Sequence, residues 1–247
     1  MLLEVCVDSF QSALNAKNGG ADRLELCSNL IIGGTTPSFE LLKKIKKNIE
    51  IMVNVLIRPR FGDFLYDNYE FEIICGEIKA AKSLGADGVA IGALNPDGSL
   101  DLEKMEMMMA AASGMSVTLH RAFDMSADIF ETLENAKKLG VNTILTSGGY
   151  NNAEDAMDIL RQLDEKSGYV DIMAGSGINA EVIGNFMKKT EIKSFHMSGK
   201  SEKLSNMIYR NKKLSMGLPM MSEYIIWECD ESRIAKAKNI MLGGNDV

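Results

Sequence analysis

Residues suited to acid–base chemistry cluster in one short stretch, residues 118–124. It contains His120, one of only two histidines in the 247-residue chain, followed by Arg121 and Asp124. An imidazole titrates near neutral pH, a guanidinium binds anions, and a carboxylate can orient either group. The stretch begins where an alternating apolar segment gives way to a charged turn. It is therefore a candidate wall of a functional site.

The elements that must position this stretch alternate between strands and helices. Eight short apolar segments, spaced roughly 20 to 35 residues apart and separated by helical patterns, predict parallel βαβ units. Eight such units in about 250 residues favour a (β/α)8 barrel of the TIM type. A doubly wound sheet is the alternative, but Asp8-Ser9-Phe10 follows the first strand, where that fold has a glycine-rich turn. The strands are predicted at 3–7, 23–27, 51–57, 88–91, 116–120, 143–145, 171–174 and 193–196.

The chain contains no linker-like or low-complexity segment, so we expect a single domain over residues 1–247. Its last part, about 200–247, is irregular until a helix near 231–242. We expect this tail to be a C-terminal extension that packs on the barrel. The region around Trp227 is a candidate contact surface, and a homo-oligomer is therefore one expectation.

Composition argues against two kinds of partner. The formal net charge of -7 disfavours nucleic-acid binding, which needs a basic surface. No apolar run approaches the roughly 20 residues that span a bilayer, so no membrane association is expected. Glu4 lies where an export signal would have basic residues. We expect a cytoplasmic protein whose four cysteines are reduced.

Alternation along the strands predicts which side chains point into the barrel. The branched apolar residues of the first, second, third and fifth strands share one parity, which we assign to the side facing the helices. The opposite parity turns polar residues inward, although barrel interiors are normally filled by branched apolar side chains. In the eighth strand, Phe195 would point outward. The inward set is Glu4, Cys6, Glu25, Cys27, Asn54, Arg58, Thr118, His120 and His196.

This inward set favours a functional site because buried ionisable groups are unfavourable unless they are paired. Both histidines fall at carboxyl ends of strands, the end where barrel enzymes place their sites. His120 would act as general acid or base, with a carboxylate as its partner. The alternative is a structural ion-pair network of Glu4, Glu25 and Arg58. The candidate catalytic residues are Glu4, Glu25, Arg58, His120, Arg121 and His196.

Glycine-rich turns follow the last three predicted strands, where backbone N–H groups commonly bind a phosphate. These glycines could equally serve only to form tight turns. The loop 59–66 has the length of a lid, and its Arg60 joins Arg58 and Arg121 at the same mouth. The three guanidiniums would bind a carboxylate or phosphate, or pair with nearby acidic residues. The candidate anion-binding residues are Ser147, Gly148, Gly175, Gly177, Ser198 and Gly199.

Two cysteines form a candidate metal site. Cys6 and Cys27 share the inward parity on strands expected to be adjacent, so their sulfurs could approach each other. Two thiolates are soft ligands that suit Cu(I). Their separation along the chain does not match a C-x-x-C motif, and buried cysteines also serve as small apolar residues. Both interpretations stay open. Methionines 105, 107, 108 and 109 are interpreted as core filler and not as copper ligands.

Several strings of the chain, taken in order, resemble the CutC family. They are GADRLELC (20–27), GGTTPS (33–38), IRPR (57–60), GDF (62–64), HRAFDM (120–125) and LTSG (145–148). The resemblance extends from Glu4 to Asn211. It implies a cytoplasmic TIM barrel with a role in copper homeostasis, no firmly assigned reaction, and Cys6 and Cys27 as the copper-binding residues. We therefore expect a copper homeostasis protein that binds Cu(I). An enzyme acting on a small anionic or phosphorylated substrate at the barrel mouth is the alternative.

Overall fold

The computed structural model describes residues 1–211, 213–217 and 221–244. Within them, eight parallel strands close into a barrel, each paired with its neighbours in chain order. The predicted TIM-barrel fold is confirmed. No helix among the described residues is both long and apolar enough to cross a membrane. The strands are β1 (Leu2–Val7), β2 (Arg23–Leu26), β3 (Met52–Leu56), β4 (Gly88–Ile91), β5 (Ser116–Leu119), β6 (Thr143–Thr146), β7 (Asp171–Gly175) and β8 (Ser194–Met197).

Helices surround the barrel, and most begin at a residue whose side chain accepts a hydrogen bond from the first helical turn. Ser9 accepts from the backbone N–H of Ser12, and Asp67 forms a reciprocal capping box with Glu70. The helices are α1 (Phe10–Asn18), α2 (Phe39–Asn48), α3 (Asn68–Ser83), α4 (Leu102–Ala111), α5 (Ile129–Leu139), α6 (Met157–Lys166), α7 (Ala180–Lys189) and α8 (Glu231–Met241).

The main apolar core lies between the strands and the helices. Leu3, Val5 and Val7 of β1 point into it and are fully buried. On β8, the Phe195 ring packs edge-on against Phe186 of α7, with 5.9 Å between ring centres. These contacts confirm the predicted parity. The inward side chains of the strands are consequently left to fill the barrel interior.

Strand register places several of the inward residues side by side. Glu4 on β1 lies opposite Arg23 on β2 and His196 on β8. Glu25 lies opposite Cys6 on β1. Because side chains of one parity in neighbouring parallel strands point the same way, these residues meet inside the barrel. The β1, β2 and β8 sector of the interior is therefore strongly charged.

The C-terminal extension has two parts. An antiparallel hairpin of β9 (Lys200–Leu204) and β10 (Ile225–Cys229) leaves the barrel after β8. Helix α8 then packs against α7 and α1, with Ile234 and Ala237 fully buried. Positions 212, 218–220 and 245–247 of the predicted tail lie outside the described residues. The assignment of residues 1–247 to one domain stays a prediction.

Candidate functional site

A cavity of about 640 Å³ opens at the carboxyl end of the barrel strands. Most of the residues predicted to form a site line it. They are Cys6, Glu25, Arg58, His120, Arg121, His196, Gly177 and Ser198. Glu4 lies beneath this lining, almost completely buried, and contacts His196. A volume of this size is typical of sites for small molecules.

His196 is held between two carboxylates on one side of the cavity. Its Nδ1 lies 2.8 Å from Oε1 of Glu4, and its Nε2 lies 3.8 Å from Oε2 of Glu25. The other oxygen of Glu4 accepts a hydrogen bond of 2.5 Å from Nε of Arg23. Glu25 has no ordinary hydrogen bond to this histidine, since 3.8 Å exceeds that range. The four side chains form one buried charged cluster.

The protonation states in this cluster follow from burial opposed by pairing. Burial favours the neutral form of Glu4, but its hydrogen bond to His196 and the charge of Arg23 lower its pKa. Burial raises the pKa of Glu25 to about 7, only partly opposed by the charge of His196. Burial alone would lower the pKa of His196, but interactions with Cys6, Glu25 and Glu4 raise it well above 6.5. His196 is therefore an imidazolium at neutral pH.

His120 lies in the opposite kind of environment. Its Nδ1 accepts a hydrogen bond of 3.2 Å from the backbone N–H of Ala122. Its ring packs on Phe64, with 4.7 Å between ring centres. Burial, and secondarily the positive charge of Arg58, lower its pKa to about 3. His120 is therefore neutral at pH 7, and its role as general acid or base stays a prediction.

Arg58 is buried and bound mainly to backbone. Its guanidinium donates to the carbonyl oxygens of Gly34 at 3.1 Å and Gly62 at 2.6 Å, and lies 5.0 Å from the Phe64 ring centre. No carboxylate oxygen in the described part of the chain lies within 4.0 Å of it. The predicted network of Glu4, Glu25 and Arg58 is therefore corrected, because Arg23 supplies the guanidinium that pairs with Glu4.

Arg23 is the residue that the sequence interpretation missed. It carries the same inward parity as Glu25 and precedes it by two positions on β2. The alternation along β2 therefore already predicted that Arg23 points into the barrel. Alternation alone does not show which inward residue lies level with Glu4, because that depends on the stagger between β1 and β2.

The other two guanidiniums predicted at the mouth are already paired. Arg60 binds Glu70 at 2.5 Å and Asp63 at 3.1 Å. Arg121 binds Asp124 at 2.6 Å and also donates to the Ser147 hydroxyl. The three arginines thus do not form one free anion clamp. Arg58 is the one left with a charge that no described carboxylate balances.

The predicted anion-binding turns differ in whether they are free to bind a ligand from the cavity. The Asp124 carboxylate accepts hydrogen bonds of 3.0 Å from the backbone N–H groups of Ser147 and Gly149, so this turn already binds an anion of the chain itself. Gly199 packs against Ile234 of α8. Among the predicted anion-binding residues, Gly177 and Ser198 line the cavity, whereas Ser147, Gly148, Gly175 and Gly199 do not.

Ser176, between the two glycines of the β7 turn, lines the cavity in an unusual conformation. Its φ of 76° lies in the left-handed region, where residues other than glycine are uncommon. Its hydroxyl donates to the carbonyl of Asn151, which helps to hold the turn. Strain of this kind is often found beside functional sites. It supports the interpretation of this end of the barrel as a site.

The two inward cysteines lie together in the barrel interior. Cys6 lines the cavity, while Cys27 is fully buried. They belong to one small cluster that also contains Leu56 and Ala90. Burial raises the pKa of Cys27 well above 9.0, and the nearby Cys6 raises it further. The four cysteines of the chain, all within the described ranges, are free thiols. This arrangement is consistent with the expectation that Cys6 and Cys27 lie near each other.

Comparison with known proteins places the chain in a family. The CutC family profile matches residues 1–201. The copper homeostasis protein cutC homolog of Homo sapiens is 42% identical over 247 residues, which cover 98% of this chain and 90% of that protein. The chain belongs to the CutC family. A CutC family protein of Pasteurella multocida (strain Pm70) is 41% identical over 239 residues, covering 96% of this chain and 98% of the relative.

A solved structure supports the same assignment. A crystal structure of a CutC protein from Streptococcus agalactiae matches with a TM-score of 0.76 and 30% sequence identity. The match covers 80% of this chain and 98% of that one. The family profile ends at residue 201, before most of the hairpin and α8. The family profile thus covers the barrel and its cavity, whereas the alignment with the human relative extends over 98% of the chain.

The donor atoms of this CutC barrel suit more than one kind of metal ion. The thiols of Cys6 and Cys27 are soft donors, the type that Cu(I) prefers. Next to them, one ligand atom from each of Glu4, Glu25 and His196 lies within 4.8 Å of the others. Carboxylates are harder donors, and Glu4 is already neutralised by Arg23. The thiols, rather than the carboxylates, fit copper.

Proposed function

We propose that this CutC protein binds Cu(I) through Cys6 and Cys27 and takes part in copper handling in the cytoplasm. The observation that carries the proposal is that both cysteines belong to one buried cluster, of which Cys6 lines the cavity. Cys6 contacts the cavity, so an ion entering from the mouth reaches this thiol first. Membership in a family whose human relative is named a copper homeostasis protein supports the choice of metal.

Copper binding at this site would be linked to proton release. A thiol binds Cu(I) as thiolate, and burial raises the pKa of Cys27, so this proton leaves only when the metal replaces it. His196 lies against Cys6 and is positively charged at neutral pH. Its charge stabilises negative charge on the neighbouring sulfur. Affinity for Cu(I) is accordingly expected to fall as the pH is lowered.

The test is a Cu(I) titration under reducing conditions against a competing chelator. The parent protein should take up close to one Cu(I) per chain, and the Cys6→Ser, Cys27→Ser double variant should lose this uptake. Cys75→Ser is the matched control, because Cys75 lies on α3 outside the cavity lining and its loss should leave uptake unchanged. Equal uptake by the double variant and the parent would exclude the proposed site.

The cytoplasmic location and a homo-oligomeric state are also proposals. Free thiols at all four cysteines support a reducing compartment. Large exposed apolar side chains on and after β9, including Leu204, Ile208 and Tyr209, support a contact between copies at the hairpin. Size-exclusion chromatography with light scattering would measure this state directly.

A second candidate function is an enzyme acting on a small anionic or phosphorylated substrate at the mouth. The specific observation that favours it is the open cavity beside a buried Arg58. A pure metal-storage site would need no cavity of this volume. Glu25 and His196 face the same cavity and could exchange protons with a bound molecule.

A further inference from the structure

His120 carries a hydrogen-bond donor with no acceptor. Because Nδ1 accepts from the Ala122 N–H, the proton of the neutral ring is on Nε2. Nε2 is buried and has no hydrogen-bond partner among the described residues. A buried donor left without an acceptor is unfavourable and is rare in proteins outside functional sites. The ring therefore presents one N–H that an external acceptor can satisfy.

The neighbouring guanidinium supplies a positive charge with no balancing anion. Arg58 is only 8% exposed, and across residues 1–211, 213–217 and 221–244 no carboxylate lies within 4.0 Å of it. Its Nε is also without an acceptor in suitable geometry. The hydroxyl of Tyr66 interacts with Arg58 but also lacks a hydrogen-bond partner in suitable geometry. A buried charge of this kind favours an anion as its partner.

Both groups belong to one wall of the cavity. The Phe64 ring lies 4.7 Å from the His120 ring centre and 5.0 Å from the Arg58 guanidinium carbon. All three residues line the cavity. The Phe64 ring thus contacts both groups. The residue with the unpaired N–H and the residue with the unbalanced charge thus pack on the same ring of this wall.

We propose that His120 and Arg58 form a subsite for a single oxyanion group, carboxylate or phosphate, of a small ligand. The Nε2–H of His120 donates to one oxygen of that group, and Arg58 compensates its charge. His120 stays neutral throughout and transfers no proton. This inference deepens the second candidate function and rests on it, while it is independent of copper binding at the thiols.

The experiment uses the full-length protein with ¹⁵N-labelled histidine and three probes: acetate, inorganic phosphate and acetamide. Acetate or phosphate should shift the Nε2–H resonance of His120 more than any resonance of His196. Acetamide, the neutral counterpart of acetate, should shift it far less. The oxyanion that shifts this resonance identifies the group that the subsite accepts. This measurement on the parent chain does not depend on how any variant folds.

Two variants then test the donor itself. His120→Phe keeps a ring against Phe64 but removes the N–H, and should weaken oxyanion binding by about tenfold. His120→Gln provides an amide donor and should recover part of the affinity. If His120→Phe binds the oxyanion as well as the parent, the subsite is refuted while the second candidate function survives. If neither acetate nor phosphate binds the parent, both are refuted. Binding of acetamide equal to that of acetate would refute the role of Arg58.

Discussion

The two histidines of this barrel show how one side chain takes opposite charge states on two walls of a single cavity. His196, between Glu4 and Glu25, has a pKa raised well above 6.5. His120, between Phe64 and the guanidinium of Arg58, has a pKa lowered to about 3. Both rings are largely buried, so desolvation acts on them in the same direction. The partners alone decide the difference.

This contrast assigns different chemistry to the two walls. The β1, β2 and β8 sector holds paired charges and a carboxyl group whose pKa of about 7 lets it gain or lose a proton near neutral pH. The sector around His120 and Arg58 holds an unpaired donor and an unbalanced cation. Proton exchange is therefore expected on the first wall, and fixed hydrogen bonding on the second.

The largest effect is expected from a substitution in the charged wall, which consists of Glu4, Arg23, Glu25 and His196. Arg23→Met keeps much of the side-chain volume but leaves Glu4 buried with half of its pairing lost. We expect the free energy of unfolding at neutral pH to fall by about 3–5 kcal/mol, measured by urea denaturation. Arg161→Met is the control, because its ion pairs on α6 are exposed and worth about 0–1 kcal/mol. If both variants lost the same free energy of unfolding, Arg23 would not stabilise the buried carboxylate of Glu4.

A smaller effect on the free energy of unfolding is expected from the neutral wall, formed by His120 and Arg58, when the pH is lowered. The unfolded chain protonates His120 near pH 6.5 while the folded protein resists protonation down to about 3. This histidine therefore contributes stability above pH 6.5 that is lost as the pH falls. Between pH 6.5 and about 4.5 the loss should be about 3 kcal/mol. His120→Gln should lack this part of the acid-induced loss in denaturation curves. An unchanged pH profile would show that His120 protonates freely in the folded state.

The contribution of Glu25 to the free energy of unfolding should depend on pH in the opposite direction, and it should change less than that of His120. Its pKa of about 7 in the folded protein exceeds the ordinary value of 4.5, so the folded protein retains a proton that the unfolded chain releases. Its contribution is present below pH 4.5 and is lost as the pH rises towards 7. Coupling to His196 limits the change to about 2 kcal/mol. Glu25→Gln should therefore gain stability relative to the parent as the pH rises, and a constant difference between them would contradict the raised pKa.

Much of this arrangement could be predicted from the sequence because strand parity is a local property. Alternation placed Glu4, Cys6, Glu25 and His196 inside the barrel, and the structure places each of them there or at its mouth. The position of His120 just after β5 followed in the same way. Period-two patterns carry this information, since a shift of one residue would bury the wrong face of the strand.

What parity could not provide is the identity of each partner. Arg58 bonds to the carbonyls of Gly34 and Gly62, whose positions depend on loop paths that have no repeating pattern. Asp124 reaches the β6 turn and occupies the N–H groups predicted to bind a ligand anion. Long-range contacts of this kind arise from the assembled barrel. They decide the charge state of each histidine, which strand parity does not predict.

The most direct test of the central claim is a pH titration of the two imidazole rings by ¹⁵N nuclear magnetic resonance of the metal-free protein. Because the chain has two histidines, each gives a separate set of ring signals. We predict that at pH 7 His196 shows the doubly protonated pattern, while His120 shows the neutral pattern with its proton on Nε2. His120 should keep that pattern into the acidic range, consistent with a pKa of about 3. Two rings that titrate together near pH 6.5 would contradict the account of two distinct walls.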